Sequence, residues 1–139
     1  MRRDLGDGYE LDDDPGRIDR DAVHAYLGGV SYWAKGRSRA TQDALIDGAA
    51  RVVGLYHDGE QVGFSRTLSD GHAQSYLADV YVLDEHRGRG LGVELVRFSV
   101  DEGSLAHTKW FLHTRDAHDL YRKFGFGEPS ERALERWSS

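Results

Sequence analysis

Three glycines at alternate positions, Gly88, Gly90 and Gly92, separate an apolar run ending at Leu83 from a run of helical spacing that begins at Leu91. A chain that passes from strand through a glycine turn into a helix so quickly must set a helix N-terminus beside a strand end. Glycines at that junction let successive backbone N–H groups converge on one point, and the helix terminus adds its positive end, so the junction suits an anion such as a phosphate. Arg87 and Arg89 add formal charge there. A dinucleotide fingerprint needs G-x-G-x-x-G, and Val93 stands where its third glycine belongs; a G-x-x-x-x-G-K-[ST] phosphate loop does not occur.

The rest of the chain can be placed around this junction. Gly8 to Leu11 reads as an edge strand running into the acidic turn Asp12-Asp13-Asp14-Pro15-Gly16. Asp19 is placed to cap a helix with Val23, Tyr26 and Leu27 on one face, ended by Gly28 and Gly29, and a second helix is expected after Thr41. From Arg51 the period becomes that of strands, with Asp58-Gly59 and Asp70-Gly71 between apolar runs, which predicts a three-stranded antiparallel meander ending in Tyr76 to Leu83. The wide apolar face from Leu91 to Val100 predicts a helix packed on a sheet. A strand over Trp110 to Thr114 follows. Asp116 is then expected to cap a helix with Ala117, Leu120, Tyr121 and Phe124 inward, closed by Gly125, and a last strand is expected over Ala133 to Trp137. This order is that of one α+β domain spanning 1–139, a central mixed, mostly antiparallel sheet flanked by helices.

Two stretches carry a family resemblance. Arg87-Gly88-Arg89-Gly90-Leu91-Gly92 matches [QR]-x-x-G-x-[GA], and Ala117-His118-Asp119-Leu120-Tyr121-Arg122-Lys123-Phe124-Gly125-Phe126 resembles A-x-x-L-Y-x-x-x-G-F. Together, in this order and with a helix and strand between them, they resemble the GCN5-related N-acetyltransferase (GNAT) superfamily over about Val52 to Phe126. The resemblance implies an N-acetyltransferase that uses acetyl-CoA. It implies that Val80, Tyr81 and Val82 pair with the pantetheine arm, that Arg87, Gly88, Arg89, Gly90, Leu91 and Gly92 bind the pyrophosphate, and that Tyr121 lies near the cofactor sulfur as the acid. The family often carries Asn three residues before the alanine of the second motif; here Thr114 takes that position on the cofactor side.

Acyl transfer to an amine needs a neutral nucleophile, a polarised carbonyl and a proton for the leaving thiolate. A tyrosine, with an ordinary pKa of about 10, holds its proton at neutral pH and can donate to sulfur. Asp79 lies inside the apolar run Tyr76 to Leu83, where burial is expected to raise its pKa and make it a base; pairing with Arg66 is the competing structural reading, and His72 and His113 are lesser candidates. Carbonyl polarisation is expected from a backbone N–H near Val82. Tyr32, Trp33 and Arg37 are candidates for the acceptor side, the aromatic faces suiting a cation and the positive charge suiting a carboxylate or phosphate.

The chain contains no cysteine, which excludes thiolate nucleophiles and Cys-based zinc sites, and the seven histidines show no metal-ligand spacing. The net charge of −6 argues against generic nucleic-acid or anionic-membrane binding. With no spanning apolar stretch and no signal-peptide core, a cytoplasmic protein is expected. The resulting expectation is direct acetyl transfer to an unidentified amine in a ternary complex, the alternative being a non-catalytic acyl-CoA sensor or interaction module. A homodimer is compatible with the resemblance, Trp137 being its one support in the sequence.

Overall fold

Residues 1–138 are described by a computed structural model. Strand β1 (Arg2–Gly6) turns through Asp7 and Gly8, both at positive φ, into β2 (Tyr9–Asp12). The sequence reading expected an edge strand at 8–11; that strand lies one place inward, because the charged stretch preceding it supplies the true edge. A 3-10 turn at Pro15–Arg17 leads to α1 (Arg20–Gly29), whose Asp19 side chain accepts from the Ala22 amide as expected. Helix α2 (Arg39–Asp47) starts earlier than expected because Ser38 caps it, accepting from the Thr41 amide.

The meander forms as predicted, from β3 (Arg51–His57), β4 (Glu60–Ser69) and β5 (Gln74–Val82). Asp58 and Gly59, at φ +49° and +88°, make the first of its turns. Helix α3 (Leu91–Val100) follows, then β6 (Lys109–Phe111) and the short α4 (His118–Arg122). The six strands lie in sequence order, antiparallel except for the parallel pair β5–β6.

Each face of the sheet buries its own core. Val52, Phe64 and Tyr81 pack with Val23, Leu27 and Ile46 of α1 and α2. Val53, Leu55, Val62 and Val82 pack with Leu91, Leu95 and Phe98 of α3, each fully buried aliphatic side chain stabilising by about 1.5–3 kcal/mol. Leu77, Val96, Val100 and Tyr121 join α3 to α4 on this second face. Arg51 holds the far end of α3, donating from Nη1 to the carbonyls of Phe98 (2.8 Å), Ser99 (3.2 Å) and Glu102 (2.7 Å) and from Nε to Asp13 (3.1 Å). A cation on the last carbonyls favours the helix and fixes it lengthwise on the sheet.

Two expectations at the C-terminal side are corrected. Asp116 does not cap α4: Ala117 occupies the cap position, and the Thr114 hydroxyl accepts its amide at 3.1 Å. Ala133 to Trp137 is not a strand; the segment is exposed, with Leu134 97% and Trp137 80% accessible. Its few apolar side chains are interleaved with Glu131, Arg132, Glu135 and Arg136, and the three-residue β6 offers only a short edge to pair with, so too little apolar surface is gained to order it as sheet. Gly125, at φ +87°, ends α4 as expected.

Candidate active site

The site is organised by what β5 does along its length. Only Gln74, Ser75 and Tyr76 pair with β6, and among the described residues the outer flank of 77–82 has no strand neighbour. The Leu83 amide donates inward to the Val62 carbonyl on β4 (2.8 Å), so by strand alternation the backbone groups of Val82 and Val80 point outward. The Val82 carbonyl on that flank already accepts from Arg87 Nε at 3.0 Å. Tyr81, expected on the cofactor side, has its backbone turned toward β4 and its ring stacked on Tyr26 at 4.1 Å.

A bulge sets this arrangement. Phe64 pairs with Tyr81 and Arg66 with Ala78, so one residue of β4 faces two of β5, and Asp79 sits there at φ +56°. The extra residue changes the frame of the strand: Leu77 and Val80 both meet the α3–α4 side, whereas strict alternation would put them on opposite faces.

The Asp79 carboxylate closes the bulge. Its Oδ1 accepts from Trp33 Nε1 (2.9 Å), and its Oδ2 accepts from Arg66 Nε (2.8 Å) and Arg37 Nη1 (2.9 Å). Burial alone would raise its pKa, but the Arg66 and Arg37 guanidiniums outweigh burial and hold it below the ordinary carboxylate value. The expectation of a raised pKa is therefore wrong, because the apolar run on β5 conceals two arginines on other elements. An anionic, triply bonded carboxylate is a poor proton acceptor.

At the end of the open flank the chain enters the glycine loop. Gly88 and Gly90 adopt φ +80° and +76°, which other residues reach only under strain. Gly90 occupies the cap position of α3 and supplies no side-chain bond, so the first-turn amides remain available to a ligand. Arg87 is used internally, reaching the Val82 carbonyl, the Tyr26 hydroxyl (3.1 Å) and Asp84 (2.8 Å). Arg89 is exposed and makes no ion pair among the described residues. Leu91 contributes its side chain to the core and only its backbone to the loop. A Cβ built on Gly92 meets nothing within 4 Å, and its φ is not strained. Gly92→Val is thus expected to fold with a nearly unchanged melting temperature, yet to bind acetyl-CoA at least tenfold more weakly by calorimetry, because the side chain would enter the anion's space. Equal affinity would remove the loop from the binding site.

On the other lip of the opening, Tyr121 is 8% exposed and shares a cluster with Leu77 and, at its margin, Val80. Burial, with a smaller contribution from Tyr32, pushes its pKa up to about 12. Its hydroxyl makes no hydrogen bond among the described residues and is not sealed from solvent. Thr114, placed by resemblance beside the cofactor, spends its hydroxyl on the Ala117 amide.

The acceptor-side candidates gather across the bulge. Trp33 and Arg37 meet at Asp79, while Tyr32 stands edge-on to Trp33 (5.0 Å), accepts the Arg115 amide at its hydroxyl (3.0 Å) and lies under the Arg115 guanidinium (3.8 Å). Sequence reasoning missed a side-chain chain beside them: the Tyr76 hydroxyl lies 2.6 Å from His113 Nδ1, and His113 Nε2 lies 2.8 Å from Glu135. His113 was a lesser candidate; its partners lie 37 and 22 residues away in sequence, on a strand and in the C-terminal tail, and no local pattern links them. His72, at the β4–β5 turn, takes no part. A concavity of about 640 Å³ elsewhere on the sheet is lined by Arg20, Asp47, Arg51 and Asp13 among others, and the charges of these four already pair with one another.

The family model described as an acetyltransferase (GNAT) domain matches residues 48–128. The chain belongs to the GNAT acetyltransferase family. A GNAT-family protein from Xanthomonas campestris pv. campestris has a solved structure that is 34% identical, with a TM-score of 0.88 over 94% of this chain and 93% of that one. The Gibberella zeae protein FG08082, named as a candidate acetyltransferase, is 34% identical over 60% of this chain, and the mycothiol acetyltransferase of Nocardia farcinica is 31% identical over 70%. The chain spans 58% and 33% of the lengths of these two curated relatives. The GNAT fold implies acetyl-CoA as co-substrate, and among the described residues no helix is long and apolar enough to cross a membrane.

Proposed function

We propose that this GNAT protein moves an acetyl group from acetyl-CoA directly to a primary amine of a small molecule or peptide. The observation that carries the reading is the unpaired outer flank of β5, which runs into an uncapped helix N-terminus with the free Tyr121 hydroxyl on the opposite lip. The groups present fit the co-substrate: outward backbone groups at Val80 and Val82 for the pantetheine amides, first-turn amides of α3 for the pyrophosphate, and Arg89 as a free cation. Acetyl-CoA brings an activated thioester carbonyl. An outward N–H of Val80 or Val82 polarises its oxygen, and Tyr121 donates a proton toward the departing sulfur. With no cysteine to carry the acyl group, the amine attacks directly.

The amine's proton leaves through Tyr76 rather than Asp79. Tyr76 accepts it at Oη and passes its own proton to His113 Nδ1, and the resulting imidazolium is met by Glu135. Thiol release from acetyl-CoA across a panel of primary amines tests the function; tight acetyl-CoA binding with no release for any amine would make this a binding module instead. With an accepted amine, His113→Gln is expected to lower kcat/KM at neutral pH about tenfold or more and to alter the acid limb of its pH profile, while leaving acetyl-CoA affinity intact. An unchanged profile would take His113 out of the route.

A further inference from the structure

The charges around Asp79 do not balance. Arg37 and Arg66 face a single carboxylate, a local excess of one positive charge at a site where the two arginine side chains are only 17% and 9% exposed. Arg37 directs Nη1 to both Asp79 and the Gln42 side chain. Arg66 uses Nε alone: its Nη1 and Nη2 make no hydrogen bond among the described residues, and neither belongs to the atoms sealed away from solvent. A guanidinium that is nine-tenths buried, held by one edge and open at the other, presents two parallel donors to whatever enters. Asp79 cannot neutralise it further, because both carboxylate oxygens are already taken.

The open edge lies on the acceptor side. Arg66 stands opposite Ala78 on β4, one residue from the bulge, and shares a sheet face with Tyr76 on β5, diagonal to it in register. Tyr76 is close enough for Arg66 to act on its ionisation, against the burial that raises its pKa. Val80, one of the two residues whose outward N–H is proposed to polarise the acetyl carbonyl, follows two residues along the strand from Ala78, roughly 5 to 7 Å away. Among the other charged groups, Glu135 is paired with His113, and Arg115 is stacked on Tyr32 with Asp116 4.0 Å from its guanidinium.

We infer that the free edge of Arg66, supported by Arg37, is an anion subsite, and that the acceptor is a primary amine carrying a carboxylate or phosphate a few bonds from its nitrogen. The anion docks on Nη1 and Nη2 of Arg66, and this leaves the amine between Tyr76 and the acetyl carbonyl. The inference rests on the transferase reading, and the two are tested apart. Thiol release is compared for 4-aminobutyrate against its neutral isostere 4-aminobutanamide, and for O-phosphoethanolamine against ethanolamine. The expected result is that an anionic acceptor exceeds its neutral counterpart in kcat/KM by tenfold or more; the pair with the larger ratio tells carboxylate from phosphate. Arg66→Gln should bring that ratio toward one and Arg66→Lys should restore part of it. If neither variant folds, the wild-type ratios decide alone. Equal or better use of both neutral amines overturns the subsite and leaves the transferase standing. If no amine is acetylated, calorimetry in the presence of CoA decides: preferential binding of 4-aminobutyrate or O-phosphoethanolamine keeps the subsite without the transfer, and no preference overturns it.

Discussion

Tyr121→Phe is expected to lower kcat by roughly ten- to a thousandfold with acetyl-CoA affinity nearly unchanged. The hydroxyl makes no hydrogen bond among the described residues, so removing it leaves none of them unsatisfied, and the phenyl ring keeps its place against Leu77, Val96 and Val100. Stability should therefore hold. Burial pushes the hydroxyl pKa up to about 12, so the group stays protonated across the working range and keeps a hydrogen to offer the departing sulfur. A residue that served packing alone would behave in the opposite way: Phe would turn over normally, and only Tyr121→Ala would hurt, through about 3 kcal/mol or more of lost folding free energy. Steady-state kinetics and melting curves on the three proteins separate the cases. Wild-type turnover in the Phe variant, with chemistry rate-limiting, would end the acid role.

Asp79→Ala is expected to give the largest loss of stability, about 3–5 kcal/mol, because it leaves Arg66 and Arg37 buried without their common partner. Alanine is also strained at φ +56°, which Asn tolerates, so Asp79→Asn should lose less. For a chain of this size the Ala variant should melt lower by on the order of ten degrees or more. The same carboxylate gives a pH dependence of definite sign. Its pKa is depressed in the folded protein, so its contribution is fully present above its unfolded value of about 3.9 and is lost as pH falls through the lower folded value. Wild-type stability should decline in that acid window more steeply than that of Asp79→Asn. An Ala variant as stable as wild type would show that the bulge holds itself without the ion pairs.

Much of this molecule can be read from its sequence because its signals are local. Asp58-Gly59 declares a turn, the helical spacing from Leu91 to Val100 declares a packed face, and alternate glycines before that face declare a loop at positive φ that opens a helix. The misses are of another kind. The first strand, Arg2–Gly6, is too charged to show a strand period and is held by pairing with Tyr9–Asp12. The strand expected at 133–137 has too little apolar surface to bury and no long edge to pair with. At the site, the arginines that reverse the expected shift of Asp79 come from β4 and from the loop before α2, and Tyr76, His113 and Glu135 meet only in three dimensions. Short-range pattern locates a strand and its loop; it does not show which distant charges converge on them.

The outer flank of β5 leaves the sheet unfinished, with backbone donors and acceptors facing a gap where a neighbouring strand would lie. On the proposed reading a pantetheine arm seated there would act as a substitute strand, and its binding energy would become part of the folding energy of the native state. At a hundredfold excess over its dissociation constant a ligand adds about 2.7 kcal/mol to stability, comparable to a buried core side chain. The protein's resistance to unfolding and proteolysis would then follow the supply of its own co-substrate, rising in cells rich in acyl-CoA and falling where it is scarce.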